Sequence, residues 1–405
     1  MTPPIQPSQS LSVALLYDDS LDRHGGIPQY LTMLGRGLTR RGHRVVYLVG
    51  ESSIDRLGDA EVWSLARNVR VRFNGSSGTI PVASRSRDIA KILAGYAFDV
   101  VHVQVPYSPL MAGRVIRRVS PSVAVVGTFH VNSERVLPKA GARLLSAVTR
   151  ESLRRFDRMM CVSDIASRFA HRWFGLSETE IVPNMVDGHA LRSMAASVYR
   201  RPANGPRLAF IGNLVPRKGI ETLLSVMPAV AAIHPRATLT VAGDGYLRPR
   251  LERSVRQAGL SAAIRFAGTI SEGEKAALLG SADIACFPSR YGESFGIVLL
   301  EAIAAGAGVV LAARNTAYAE VLRETPSALS APDDADELAR MVLRFLADPN
   351  LRAQVRGRQQ QIAVRHEVDL VTSRVLGVYR AALCRRRGGR ADESRTEEAE
   401  VSLAY

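Results

Sequence analysis

Between Pro288 and Val310 the chain reads PSRYGESFGIVLLEAIAAGAGVV. A Gly-rich turn (Tyr291, Gly292, Glu293, Ser294) is followed by an apolar run whose pattern predicts a buried helix from Phe295 to Ala305. Two acids mark the segment, Glu293 in the turn and Glu301 inside the helix. At a rise of about 1.5 Å per residue they lie on the order of 10 Å apart. Between them is a helix start, whose free N–H groups and positive dipole end favour an anion. An acid, an anion site and a second acid in a row suit a sugar, a diphosphate and a ribose.

Other residues could complete such chemistry. Phe210 to Gly219 reads FIGNLVPRKG, a strand ending at Gly212, then Asn213, then a short loop that brings Arg217 and Lys218 to the next helix start. Helix starts prefer acids, so two cations there make sense if an anion binds. Lys or Arg clamps stabilise the charge that grows on a departing diphosphate. Gly25 and Gly26 follow the first strand and allow close backbone approach to a ligand. His130 ends another strand (GTFH) and is placed to contact a reacting sugar. Gly243-Asp244-Gly245 reads as a structural turn. No GxGxxG and no GxxxxGK[ST] occurs, so neither a dinucleotide fingerprint nor a P-loop is supported. The adjacent Asp pairs Asp18-Asp19 and Asp333-Asp334 stand apart from the phosphate elements, and the second reads as a helix cap. We expect no metal, with Lys218, Arg217 and the helix dipole supplying positive charge.

The elements that must hold these residues alternate. Val13–Tyr17, Val45–Val49, Val100–Val105 and Val123–Thr128 read as buried parallel strands, with Met159–Val162 and Ile181–Pro183 after them. Leu208–Gly212, Leu239–Ala242, Ile264–Ala267, Ile284–Phe287 and Val309–Ala312 restart the pattern, with helices near 220–233, 247–258, 272–281 and 295–305. Three helical stretches follow: Ala335–Ala347, Leu351–Arg365 and Leu370–Arg387. Strand–helix alternation of this kind predicts doubly wound α/β sheets. The expected domains are 1–193, a polar linker 194–206, 207–368, a final helix 369–387 and a disordered tail 388–405.

Composition agrees with two domains. The chain has 405 residues, 46% of them hydrophobic, and no apolar stretch reaches the roughly 18 residues of a spanning helix. The N-terminus carries no signal-peptide pattern, and three scattered cysteines fit a reducing cytoplasm. A net charge of +15 implies an anionic partner. Aromatic residues are only 6%, with no basic–aromatic interleaving, which argues against nucleic acid. Ser84–Tyr96 predicts an amphipathic helix with Arg85, Arg87 and Lys91 on one side and Ile89, Ile92 and Leu93 on the other, suited to an anionic bilayer surface. Arg114, Arg117 and Arg118 form a second basic cluster.

The Glu293-x7-Glu301 spacing, with RKG and GDG before it, resembles the retaining family-4 glycosyltransferases of GT-B fold, an α/β architecture of two Rossmann-like domains facing across a cleft. Within that family the chain is most similar to the actinobacterial phosphatidylinositol α-mannosyltransferases. The resemblance runs from about residue 11 to 385. It is carried by Arg72-Phe73-Asn74-Gly75-Ser76, Phe98-Asp99-Val100-Val101-His102, Thr128-Phe129-His130, Val162-Ser163-Asp164, Pro183-Asn184-Met185-Val186-Asp187 and Gly292 to Leu299 with Glu301-Ala302. It implies metal-independent transfer of mannose from GDP-mannose to phosphatidylinositol. Other readings are a UDP-sugar donor, or a diacylglycerol, sugar phosphate or natural product as acceptor. It implies His130, Glu293 and Lys218 as catalytic. The donor would lie on Gly26, Asn213, Arg217, Lys218, Glu293, Ser294, Phe295, Gly296, Ile297 and Glu301, with Glu293 on the sugar hydroxyls and Glu301 on the ribose. The acceptor would lie at Asn74, Gly75 and Tyr17. The implied location is the inner face of the plasma membrane, peripherally bound. The pattern departs at Asn213, where the family has an arginine on the diphosphate, at a shorter loop before Lys218, and at Met185 in place of glycine. Either Arg217 takes the missing arginine's place or phosphate binding is weaker. No carboxylate is placed as a nucleophile, so front-face transfer is expected.

Overall fold

The computed structural model describes residues 10–22, 25–73, 76–82, 86–130, 139–197 and 204–402. Its contacts divide the chain into two units, residues 1–183 with 368–405, and residues 184–367.

In the first unit the chain runs β1 (Ser12–Tyr17), α1 (Gly26–Arg40), β2 (Arg44–Val49), β3 (Arg56–Leu57), β4 (Ala60–Ser64), β5 (Arg67–Phe73), β6 (Ser76–Val82), α2 (Ser86–Gly95), β7 (Val100–Gln104), α3 (Met111–Ile116), β8 (Ala124–Phe129), α4 (Lys139–Leu153), β9 (Arg158–Cys161), α5 (Asp164–Phe174) and β10 (Glu180–Ile181). Eight strands form one sheet in the order β10-β9-β8-β7-β1-β2-β4-β3, parallel apart from the β3–β4 pair. The expected strands β1, β2, β7, β8 and β9 are its centre. Their near-continuous Val, Leu and Ala runs are buried because helices cover both faces of a parallel sheet. The antiparallel ribbon β5–β6 was not foreseen. Its Arg–Val alternation carries a period of two, yet it is short and polar enough to read as loop.

The second unit contains α6 (Gly188–Ser197), β11 (Arg207–Ile211), α7 (Ile220–Ile233), β12 (Thr238–Ala242), α8 (Arg248–Gln257), β13 (Ile264–Gly268), α9 (Glu272–Ser281), β14 (Ile284–Phe287), α10 (Ile297–Ala305), β15 (Val309–Ala313), α11 (Thr316–Val321), β16 (Leu329–Ser330), α12 (Ala335–Ala347) and α13 (Pro349–Arg365). The six-stranded parallel sheet has the order β13-β12-β11-β14-β15-β16. That order reverses between β11 and β14, the kind of switch point where α/β sheets bind ligands beyond the strands' carboxyl ends. α14 (Val368–Ser402) returns to the first unit. There Asp369 pairs with Arg41 at 3.2 Å, and Arg386 with the buried Asp157 at 2.6 Å.

Two boundaries differ from expectation. The second unit begins at Asn184, because α6 packs on α9 and α10, so the polar composition of 194–206 does not mark the division. Residues 198–203 of that segment lie outside the described residues. The tail expected to be disordered from 388 continues as α14 to Ser402, its Arg, Glu and Ala content being helix-favouring.

Candidate active site

In the second unit the site is built from the carboxyl ends of β11, β12 and β14. Three loops there are packed backbone to backbone: Gly212 N–H donates to Ala242 O at 3.0 Å, Leu214 N–H to Asp244 O at 2.9 Å, and Gly243 N–H to Gly268 O at 2.7 Å. Gly243 has φ +121°, and a Cβ there would lie 2.1 Å from Gly212 O. Only glycine fits, so the GDG turn is structural, fixing the loop that follows β11.

That loop winds into a 3₁₀ turn, Pro216–Lys218, immediately before α7. It carries both cations onto Glu293. Lys218 Nζ lies 2.6 Å from Glu293 Oε1 and Arg217 Nη1 3.2 Å from the same oxygen. All three side chains are largely buried, Glu293 to 11% exposure. Burial would raise the Glu293 carboxyl's pKa, but Lys218 and Arg217 outweigh it and hold the group below its ordinary range. Arg217 thus stands beside the acid, whereas Asn213 is exposed on the loop.

α10 starts at Ile297 rather than Phe295, because Gly296 takes φ +103°, a left-handed conformation that ends the turn before the helix. A Cβ on Gly296 would meet the Tyr318 ring at 2.7 Å. Tyr318 in turn bonds Ser289 Oγ at 3.2 Å, and a hydrogen bond from Ser289 also lowers the Glu293 pKa. Phe295 is buried, while Ser294 and Ile297 are half-buried beside the helix start. Glu301 is the fifth residue of α10 and 5% exposed. Its Oε1 accepts from Lys275 Nζ at 2.6 Å, and Lys275 also reaches Glu272 at 2.6 Å. Burial works against the Lys275 charge, yet the two acids outweigh it and raise its pKa. Lys275, Ser289 and Tyr318 were not foreseen. Lys275 sits 26 residues from Glu301 on another helix, and its spacing in the sequence points only to Glu272.

In the first unit, Gly26 opens α1, and a Cβ there would touch nothing within 4 Å. The chain itself does not need glycine at that position. Tyr17 ends β1 and is buried. Asn74, Gly75 and Arg85 lie outside the described residues. Asp18 is no candidate metal ligand in isolation: its carboxylate accepts from Ala112 N–H at 2.7 Å and from the Ser108 hydroxyl, tying β1 to the start of α3. Asp334 caps α12, accepting from Glu337 N–H at 2.7 Å. Among the described residues, no group of three or more His, Cys, Asp or Glu is arranged to hold a metal ion.

His130 is buried at the end of β8, its Nε2 2.6 Å from Gln104 Oε1, with Tyr30 edge-on at 4.9 Å. A neighbouring network joins His102 to Thr128 at 2.6 Å and to Tyr379 of α14 at 2.8 Å. Burial pushes both imidazoles down to about 3, so each is neutral near pH 7. The ordinary histidine value is about 6.5, so below that pH the unfolded chain takes up protons that the fold refuses. Stability is therefore full above about pH 6.5 and falls as pH drops toward 3. Each histidine contributes about 2 kcal/mol of loss by pH 5. Thermal unfolding between pH 7 and 5 should show this slope, and His102→Gln or His130→Gln should each flatten it by about half. An unchanged slope in both variants would contradict the burial argument.

α2 corrects the membrane expectation. Arg87 and Lys91 are exposed, but Ile89 and Ile92 are buried in the core at 1% and 7% exposure. Two of the three residues of the expected apolar stripe are used for packing, and the third, Leu93, is half-buried. No described helix is long and apolar enough to cross a membrane.

The arrangement matches known proteins. Residues 24–189 match the model of Glycosyltransferase Family 4, and residues 196–361 that of Glycosyl transferases group 1. A parallel-sheet pair of this kind with this site defines a GT-B glycosyltransferase, and the chain belongs to family 4 of that class. It is 30% identical over 374 residues to the phosphatidyl-myo-inositol mannosyltransferase of Mycolicibacterium smegmatis, covering 91% of this chain and 93% of that one. Among solved structures, a glycosyltransferase from Rickettsia africae has TM-score 0.72 at 15% identity, over 92% of this chain and 99% of the other. Sucrose-phosphate synthase from Thermosynechococcus elongatus has TM-score 0.69 at 21% identity, over 91% and 98%.

Proposed function

We propose that this glycosyltransferase moves mannose, with retention, from GDP-mannose to phosphatidylinositol at the cytoplasmic membrane face. One observation carries the donor half: Glu293 is clamped by Lys218 and Arg217 beside the Gly296–Ile297 helix start. In the free protein the acid satisfies the cations. On donor binding the diphosphate takes over Lys218, Arg217 and the positive N-terminal end of α10, and Glu293 is released to accept bonds from sugar hydroxyls. Glu301 accepts the ribose hydroxyls.

Charge that develops on the leaving diphosphate meets two fixed cations and a helix dipole, which is the stabilisation that a divalent ion provides elsewhere. Transfer then needs no added metal. Glu293, held by the sugar hydroxyls away from the reacting carbon, is not poised as a nucleophile. The acceptor hydroxyl attacks from the face the diphosphate leaves, and a diphosphate oxygen takes its proton. His130, neutral at working pH, accepts or donates a hydrogen bond to the transferring sugar without carrying charge. Tyr17, Asn74 and Gly75 hold the inositol.

The acceptor and donor sugar are supported by the name and 91% coverage of the M. smegmatis relative. A UDP-sugar donor is the second reading, because the diphosphate that Lys218 and Arg217 would hold is common to both nucleotides. The test is product mass from phosphatidylinositol with GDP-mannose against UDP-glucose, each with and without EDTA. Mannosyl phosphatidylinositol formed equally in EDTA is expected. Hexose transfer only from UDP-glucose would shift the donor, a requirement for divalent metal would overturn the charge argument, and no transfer to phosphatidylinositol would remove the acceptor.

A further inference from the structure

β7 and β8 run parallel with Gln104 opposite Thr128, and two polar pairs bridge them. His102 and Gln104 lie two residues apart on one strand, as Thr128 and His130 do at the end of the other, so the pairs share one face of the sheet. They are used differently. His102 has a partner on each ring nitrogen, Thr128 on Nε2 and the Tyr379 hydroxyl on Nδ1. Among the described residues, the His130 ring has Gln104 alone, whose Oε1 lies 2.6 Å from Nε2. Gln104 is 0% exposed, and among the described residues its amide nitrogen has no hydrogen-bond partner. A buried amide nitrogen left unmatched costs stability. The next residue, Val105, has φ +60°, a left-handed conformation that strains a β-branched residue. Both costs fall at the carboxyl end of β7, beside the histidine, and an outlier kept at such a place points to function.

A neutral imidazole carries one N–H, and an amide oxygen only accepts. Nε2 therefore holds the proton and Nδ1 is the acceptor. A carboxylate in place of the amide would take the same bond, but it would favour the charged imidazolium. We propose that Gln104 is a positioning residue, which fixes His130 in the neutral Nε2–H form so that Nδ1 accepts a hydrogen bond from a hydroxyl of the transferring sugar. The inference rests on the reading that sets His130 against that sugar, and it names which nitrogen serves and what holds it.

The full chain, labelled with nitrogen-15 histidine, tests the tautomer by NMR without substrate. The His130 signals, identified by their loss in His130→Ala, should show a protonated Nε2 and an unprotonated Nδ1 near neutral pH. Gln104→Met keeps the side-chain length, removes the amide and should mix the two forms. Its thermal midpoint should equal or exceed that of the wild type, because the unmatched nitrogen is gone. Transfer from GDP-mannose to phosphatidylinositol reads the consequence. Gln104→Met should lower kcat/KM about tenfold, the scale of one hydrogen bond. GDP affinity by calorimetry should not change, because GDP lacks the sugar. In the His130→Ala background Gln104→Met should have no further effect on kcat/KM, since nothing is left to position. An Nδ1–H form in the wild type, an unchanged tautomer in Gln104→Met, or an equal loss with and without His130 would each overturn the role of Gln104. If the wild type moved no mannose to phosphatidylinositol while the tautomer shifted as expected, the hold on His130 would stand and the substrate reading alone would fall.

Discussion

Lys218→Met should lower kcat by about 10²- to 10³-fold, the scale measured for removing one donor that meets transition-state charge. The effect should fall on kcat more than on nucleotide affinity, because the diphosphate gains most of its charge as the glycosidic bond breaks. Arg217, 3.2 Å from Glu293, leaves one cation at the site, so ground-state binding of GDP should weaken only modestly. Lys218→Arg should recover part of the rate, since a cation is restored in a different shape. Glu293→Gln reports the other side of the same contact. It frees both cations and should leave GDP binding equal or tighter, while binding of the intact sugar nucleotide weakens. The pair of measurements separates the two roles: single-turnover rates for Lys218, and GDP against GDP-mannose affinity for Glu293. If Lys218→Met lost affinity and kept kcat, the lysine would be a ground-state anchor and the leaving-group argument would fail.

What the sequence disclosed depended on how locally each interaction is encoded. The strands flanking the site are continuous Val, Leu and Ala runs bounded by Gly or Pro, so β11, β12, β14 and β15 were legible within a residue or so. The Gly-rich turn and Arg217-Lys218 were legible because their residue types are costly to explain as ordinary loop. Gly296 shifted the helix start by two residues through its left-handed φ, and the Tyr318 ring that leaves no room for a Cβ there comes from a later helix. α2 shows the reverse failure. Amphipathic periodicity fixed the helix but not which way its apolar face points, and the core claimed it. The boundary at Asn184 was hidden because α6 belongs to the second unit by packing, while composition changes only after it.

The Lys275–Glu301 contact joins two helices of the second unit and carries the second large effect. Lys275→Met should cost the second unit about 3 kcal/mol and lower its unfolding midpoint by roughly 10 °C, because it removes the cation 2.6 Å from a carboxylate that is 5% exposed. Lys275→Met with Glu301→Leu removes both charges and fills the space with apolar volume. A buried ion pair replaced in that way is often neutral for stability. The double variant should regain most of the lost midpoint yet bind no sugar nucleotide, since the ribose has lost its acceptor. Thermal unfolding and calorimetry with GDP-mannose read the two effects independently. If the double variant regained both stability and binding, Glu301 would be a structural acid paired with Lys275, and the ribose would have to be held elsewhere on the second unit.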